Sequence, residues 1–294
     1  MDETTEIGAD NVYDFLKQFA ADISLADLKP VSNRHRGGDS VTFYYRNDSI
    51  LKVPRRNDSR TGLLKEVKLI EYLHTQPLPF VVAEPITVHE KGFYAMFSRI
   101  DGASLSIAAF EEFTPKELES FGRSVGSFLS FLHNHKFPVE VLKYIPCAED
   151  SFEVALHEAR RQLTVIEAHT VEVDTTQWTE KLESLRESLD QRWTVVHCDL
   201  QINHLLFVRR NLEQLAIIDF ADTLIHDPAV DLSEFAIEMY SDLPPDGVAA
   251  KKIIDAVLKH YQTDDLAIET KIEFGLLIFA IQRAYQEAVK LILP

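Results

Sequence analysis

The spacing of apolar residues changes character at Asp101-Gly102, and that change commits the chain to an α+β fold built in two parts. Upstream, VTFYYR (41–46) and SILKVP (49–54) flank Asn47-Asp48 and read as an antiparallel hairpin. Residues 79–89 and 92–100 read as two more strands. Two helices are expected among them. Residues 11–20 place Val12, Phe15, Leu16 and Phe19 at helical spacing, and TGLLKEVKLIEYLH (61–74) aligns Leu63, Ile70 and Leu73. Downstream the pattern is mainly helical. Thr114-Pro115-Lys116-Glu117 is a capping-box start with proline at the first helical position. The helix it opens carries Leu118, Phe121, Val125, Phe128, Leu129 and Leu132 on one face. Further helices are expected near 151–168, 177–191, 231–241, 247–262 and 267–292. Short apolar runs interrupt them: TVV (194–196), HLLFV (204–208) and LAIID (215–219). The expected organisation is a strand-rich part over 1–98 and a helical part over 99–294, with ligand in the cleft between them.

Composition narrows the function classes. A net charge of −17 argues against binding nucleic acid through its phosphates, and it suits a cationic small molecule, although an acidic surface also simply favours solubility. No stretch approaches the roughly 18 uncharged apolar residues that span a bilayer, so no membrane association is expected. MDETTEIGAD lacks the basic and apolar segments of a signal peptide, and two cysteines, Cys147 and Cys198, make no disulfide framework. A reducing cytoplasm is the simplest location.

Chemistry concentrates in VVHCDLQINHLLF (195–207). An apolar strand leads into His197-Cys198-Asp199, and a second begins at His204, so Asp199 lies on a loop pinned between buried strands. It is placed to accept or orient the proton of an attacking hydroxyl. LAIIDF ends a buried strand on Asp219, a costly place for a carboxylate unless a cation such as Mg²⁺ with nucleotide phosphates meets it. Upstream, Lys52 interrupts the apolar strand Ile50-Leu51-Lys52-Val53, and Glu66 intrudes on the Leu63–Ile70–Leu73 stripe. The two most simply pair with each other. Each residue alone has a structural explanation: a snorkelling lysine, a solvated glutamate, a chance His-x-Asp, a strand-end turn. Together they stand in the order that a kinase signature requires.

On these residues the chain resembles the aminoglycoside phosphotransferases, small-molecule kinases with a bilobal protein-kinase-like fold, and within them the 2″-phosphotransferase branch. The likeness runs from about residue 28 to 265 and is densest at ILKVP, LLKEVKLIEYLH, HCDLQINHLLF and IIDFADTLIHDPAVDLS. The resemblance implies transfer of the γ-phosphate of ATP or GTP to a hydroxyl. Lys52 would hold the α- and β-phosphates and pair with Glu66, Asp199 would face the acceptor hydroxyl, and Asp219 would ligate magnesium. FSRIDG (97–102), with Ser98 and Ile100, resembles the connector whose backbone bonds the nucleotide base. His204 stands where most kinases have asparagine. Magnesium's preference for oxygen favours a structural histidine, whereas histidine at this position in 2″-aminoglycoside and macrolide phosphotransferases implies a metal ligand.

Departures from the pattern are also plain. The glycine-containing phosphate loop reads SNRHRGGDS (32–40), so the grip would fall to Gly37, Gly38 and Ser40. Ala221 replaces the glycine of Asp-Phe-Gly, and Cys198 receives no chemistry. Asp231-Leu232-Ser233-Glu234 has the look of an N-cap with a carboxylate three residues on, and Asp227-Pro228 of the turn before it. The resemblance puts a cationic acceptor among helical-part carboxylates. Glu234, Glu238, Asp242 and Asp246 succeed one another at spacings of four, and Glu287 beside Tyr285 offers a further wall. A merely solvated acidic face remains the alternative. The acceptor is expected to be an aminoglycoside; another hydroxylated metabolite or macrolide, or a nucleotide-binding protein of weak catalysis, are the other readings.

Overall fold

The computed structural model describes residues 6–8, 11–20, 23–31, 38–149, 152–169, 175–186, 189–243 and 247–292. They divide into two units. Met1–Leu105, Phe137–Ile145 and Asn203–Thr223 form the first; Ser106–Lys136, Pro146–Ile202 and Leu224–Pro294 form the second.

The hairpin is the heart of the first unit. Strands β2 (Ser40–Tyr45) and β3 (Ser49–Pro54) pair around Arg46–Asp48, with Arg46 at a positive φ of 53°. They join β1 (Leu28–Pro30), β5 (Pro85–Val88) and β6 (Ala95–Ser98) in an antiparallel sheet of order β1-β2-β3-β6-β5. Leu51 and Val53 are buried in one cluster with Phe15 and Leu16 of helix α1 (Val12–Phe19). Alternation along β3 turns Lys52 to the other face of the sheet.

Helix α2 (Asn57–Leu73) starts four residues before the expected Thr61. Its first turn is polar, and the first position of its buried stripe is Arg60, which a count of apolar residues passes over. The Arg60 side chain is buried with its guanidinium 4.4 Å from the Phe93 ring centroid. The expected strand at 79–89 splits. β4 (Val81–Val82) leaves the first sheet and pairs in parallel with β10 (Leu215–Ile217), while β5 stays beside β6. With β7 (Gly102–Ser104) and β9 (Leu205–Val208) this makes a second sheet, β4-β10-β9-β7. A short helix, α4 (Val139–Leu142), completes the first unit.

The second unit is helical. The capping box at α3 (Pro115–Asn134) is present in both halves: Thr114 Oγ1 accepts from Glu117 N, and Glu117 Oε2 accepts from Thr114 N at 2.8 Å. Helices α5 (Phe152–His169), α6 (Thr175–Arg186) and α9 (Ile268–Ile292) share a core through Leu156, Leu163, Leu182, Leu185 and Ile281. Strands β8 (Thr194–Val196) and β11 (Leu224–His226) pair antiparallel, and α7 (Ala229–Asp242) and α8 (Val248–His260) come next. The expected N-cap at Asp231 is corrected. Helix α7 begins at Ala229, whose N–H donates to Asp227 Oδ1, and Asp231 lies inside the first turn, fully buried. Among the described residues no helix is long and apolar enough to cross a membrane.

Helices α3 and α8 approach at two glycines. A Cβ on Gly122 would lie 2.3 Å from the Ala256 carbonyl oxygen, and one on Gly126 would lie 2.7 Å from that of Val257. In an exposed helix Gly→Ala stabilises by about 1 kcal/mol. Here the sign reverses, because backbone cannot yield as a flexible side chain can. Gly122→Ala is expected to lower stability by about 1–3 kcal/mol, read as a lower urea midpoint at unchanged slope.

Candidate active site

In the first unit a buried carboxylate gathers the charged groups. Glu66, 3% exposed on the α2 stripe, receives Lys52 Nζ at 2.7 and 3.0 Å on its two oxygens. Its Oε1 also accepts the backbone N–H of Phe220 at 3.3 Å. Lys52 Nζ lies 3.1 Å from Asp219 Oδ1 and 5.7 Å from the Phe97 ring centroid. Burial pushes the Lys52 ammonium down, but Asp219 and Glu66 more than reverse this and hold it above the usual lysine range. Lys52 is therefore a fixed cation, bracketed by two carboxylates.

Asp219 reaches that position through the β9–β10 hairpin. The ladder runs Leu205↔Ile217, and one pair further Ile218 N donates to His204 O at 3.2 Å. His204 thus stands opposite Ile218, with Asp219 next in the chain. The strand was expected to end on Asp219; it ends at Ile217, and Asp219 adopts a left-handed conformation, φ 68° and ψ 61°. That turn directs the carboxylate toward Lys52 and brings the next four residues against α2. Phe220 N bonds Glu66, and Lys65 Nζ, buried, bonds the Thr223 carbonyl at 2.6 Å. His204 Nε2 is 3.8 Å from Asp219 Oδ2, and 36% of the Asp219 side chain is exposed. A partly exposed carboxylate held by its neighbours suits a magnesium ion, which takes oxygen ligands; His204 would add a nitrogen.

The second unit carries the loop of Asp199. His197 is fully buried, and Cys198 sits at a left-handed φ of 61°. Both of their N–H groups are taken by Asp231: His197 N by Oδ2 at 2.9 Å and Cys198 N by Oδ1 at 2.8 Å. Asp231 Oδ2 also meets His133 Nε2 at 3.0 Å, and His133 Nδ1 meets the Tyr261 hydroxyl at 2.9 Å. Burial alone would push the Asp231 carboxyl up, yet His133, His197 and the amides bring it below the ordinary aspartate range. Asp199, half-buried, accepts from Gln201 Nε2 at 2.6 Å on Oδ1 and from Gln201 N at 3.0 Å on its carbonyl.

The other expected residues are spread over both units. Ser40 opens β2 opposite Pro54, and a Cβ on exposed Gly38 would meet nothing within 4 Å. Gly37 and Asp246 lie outside the described residues. Ser98 closes β6 and exchanges bonds with Glu84, its N donating to the Glu84 carbonyl and its Oγ accepting from Glu84 N, both at 2.8 Å; Ile100, two residues on, is half-buried. Glu234 and Glu238 of α7 accept backbone N–H groups, from Leu200 at 3.3 Å and Ile202 at 2.7 Å. Asp242 closes α7. Glu287 is exposed on α9 and pairs with Lys290 at 2.7 Å. Lys65, His133 and the clamp by Asp231 were not anticipated. Their partners lie 158, 98 and 33–34 residues away, and no local pattern reports such contacts.

A model of the phosphotransferase enzyme family matches residues 33–265. Among solved structures, the chain is similar to the streptomycin–ATP ternary complex of APH(2″)-IIa, at 19% identity and a TM-score of 0.65, over 98% of this chain and 97% of that one. It is similar to the GDP complex of aminoglycoside 2′-phosphotransferase-IIIa, at 15% identity and a TM-score of 0.68, over 97% of each. It is also similar to the macrolide 2′-phosphotransferase MphH from Brachybacterium faecium, at 16% identity and a TM-score of 0.58, over 96% of this chain and 92% of that one. These likenesses establish the kinase-like fold. No curated protein sequence matches the chain.

The charge network makes its own demand on stability. Lys52→Met strands Glu66 as an uncompensated buried charge and is expected to cost about 3–5 kcal/mol, whereas Lys52→Met combined with Glu66→Leu regains most of it. Urea unfolding of both variants measures this; a double variant no more stable than the single one would contradict the pairing.

Proposed function

Since the chain belongs to the phosphotransferase enzyme family, we propose that it moves the γ-phosphate of ATP or GTP onto a hydroxyl of an aminoglycoside. The observation that carries this reading is the Lys52–Glu66–Asp219 cluster, in which a buried ion pair presents one fixed cation beside a partly exposed carboxylate. Phosphoryl transfer asks a protein mainly for positioning and for charge aimed at phosphate oxygens. Lys52, held by Glu66, meets the α- and β-phosphates. Asp199 aligns the acceptor hydroxyl and takes its proton as the new O–P bond forms and the bond to the β,γ-bridging oxygen breaks. Asp219 and His204 would hold magnesium, which when bound neutralises charge on the triphosphate. Gly38 and Ser40 lie where the phosphate loop is proposed, and Ser98 and Ile100 where the base is proposed to rest.

The aminoglycoside reading draws support from the similar structures with streptomycin and gentamicin, and from a net charge of −17, which suits a polyamine. A macrolide acceptor is the second reading, favoured by the likeness to two macrolide phosphotransferases. A coupled assay with ATP and GTP against aminoglycosides, macrolides and neutral sugars tests both. Aminoglycoside-dependent turnover is expected; turnover with macrolides alone selects the second reading, and none with any acceptor overturns the proposal.

Asp199→Asn is expected to bind nucleotide normally and to lose at least about a hundredfold in turnover. His204→Asn, which restores an oxygen donor, is expected to remain active, while His204→Ala raises the magnesium concentration needed for half-maximal rate. Unchanged magnesium dependence in the alanine variant would return His204 to a structural role.

A further inference from the structure

Helix α7 presents three carboxylates at i, i+3 and i+7 on one face, and all three accept backbone N–H groups of a single short segment. Asp231 takes those of His197 and Cys198, Glu234 Oε2 takes that of Leu200, and Glu238 Oε2 takes that of Ile202. Asp199 lies between these anchors. Asp231 secures only the segment's upstream end. Downstream the shorter bond is that of Glu238, at 2.7 Å against 3.3 Å for Glu234. A bond from an amide to an ionised carboxylate is stronger than one between neutral groups. These oxygens are therefore engaged by the loop itself, a different duty from the contact with substrate amines suggested by their sequence spacing.

We propose that Glu238, assisted by Glu234, is a positioning residue that latches the downstream end of the Asp199 loop through the amides of Ile202 and Leu200. The inference rests on Asp199 being the carboxylate that meets the acceptor hydroxyl. With the latch open, the loop keeps its amide bonds to Asp231 but loses its short downstream bond to α7, so the direction of the Asp199 carboxylate is less tightly fixed. A displacement of about 1 Å from a productive geometry costs on the order of a hundredfold in rate. The loss is therefore expected in kcat more than in the KM for nucleotide or acceptor.

Three measurements on wild type, Glu238→Ala and Glu238→Gln test the latch: steady-state kinetics with gentamicin and magnesium nucleotide, thermal melting, and amide hydrogen exchange at Leu200–Ile202. Glu238→Ala is expected to lose at least about tenfold in kcat, with KM for gentamicin and nucleotide changed by less than about threefold and with faster exchange at Ile202. Glu238→Gln keeps an oxygen acceptor, so it is expected to restore protection at Ile202 and most of the lost kcat. A raised gentamicin KM in both variants at preserved kcat would overturn the latch in favour of direct amine contact. Unchanged exchange at Ile202 in Glu238→Ala would also overturn it. Failure of the functional reading is separable from failure of the latch. An inactive wild type, or an unimpaired Asp199→Asn, sinks the former, while exchange at Ile202 judges the latch without any turnover.

Discussion

A carboxylate buried to 3% exposure is the point on which the first unit turns. Glu66 sits on the apolar stripe of α2, where a charge without partners is costly. Its oxygens are met by Lys52 and by the N–H of Phe220, and these three bonds tie together three parts of the chain: β3, α2 and the turn after β10. Removing Lys52 or Glu66 leaves the other as an uncompensated buried charge, which is why neither can be changed alone without a large cost. Lys52 in turn is held charged by Asp219 and Glu66 against the effect of its own burial.

The second unit repeats this device with different residues. Asp231 is buried in α7 and is met by His133 and by two consecutive amides. In both units the buried carboxylate lies against a residue in left-handed conformation: Asp219 beside the amide bonded to Glu66, and Cys198 with its own amide bonded to Asp231. Such a conformation costs a non-glycine residue about 1–3 kcal/mol and persists only where the surroundings over-determine it. A charge-assisted bond to a fixed carboxylate supplies that constraint. The strained residues are the expected metal ligand and the immediate neighbour of the expected catalytic aspartate, the places where direction of a side chain matters most.

The family's chemistry explains why the scaffolding is so polar. Phosphoryl transfer needs groups aimed to within fractions of an ångström, and little bond-making by the protein. Apolar packing orients whole elements, as the α1 cluster does for the sheet and Gly122 and Gly126 do for α3 against α8. Hydrogen bonds, being directional, orient single residues within loops. The Asp199 segment is held in this second way along nearly its whole length.

Much of this is legible in the sequence. The hairpin around Asn47-Asp48, the capping box at Thr114 and the pairing of Lys52 with Glu66 come from local periodicity and from two charges intruding on apolar stripes. Where an element's first residues are polar, as in α2, or its strand is two or three residues long, as in β4 and β11, periodicity has too few repeats to register. Asp231 was legible as structural, but its spacing from Glu234 suggested a cap, because a carboxylate near a helix start usually serves its own helix. Sequence by itself determined the α+β character and that Lys52, Glu66 and Asp219 had to find partners, since periodicity and the cost of burying charge are local properties. Beyond the Lys52–Glu66 pair, only the tertiary structure decided which charged groups are engaged and by whom. His133 with Asp231, Lys65 with Thr223, and Glu238 with Ile202 meet across 98, 158 and 36 residues, and contacts at such separations exist only once packing has brought the elements together.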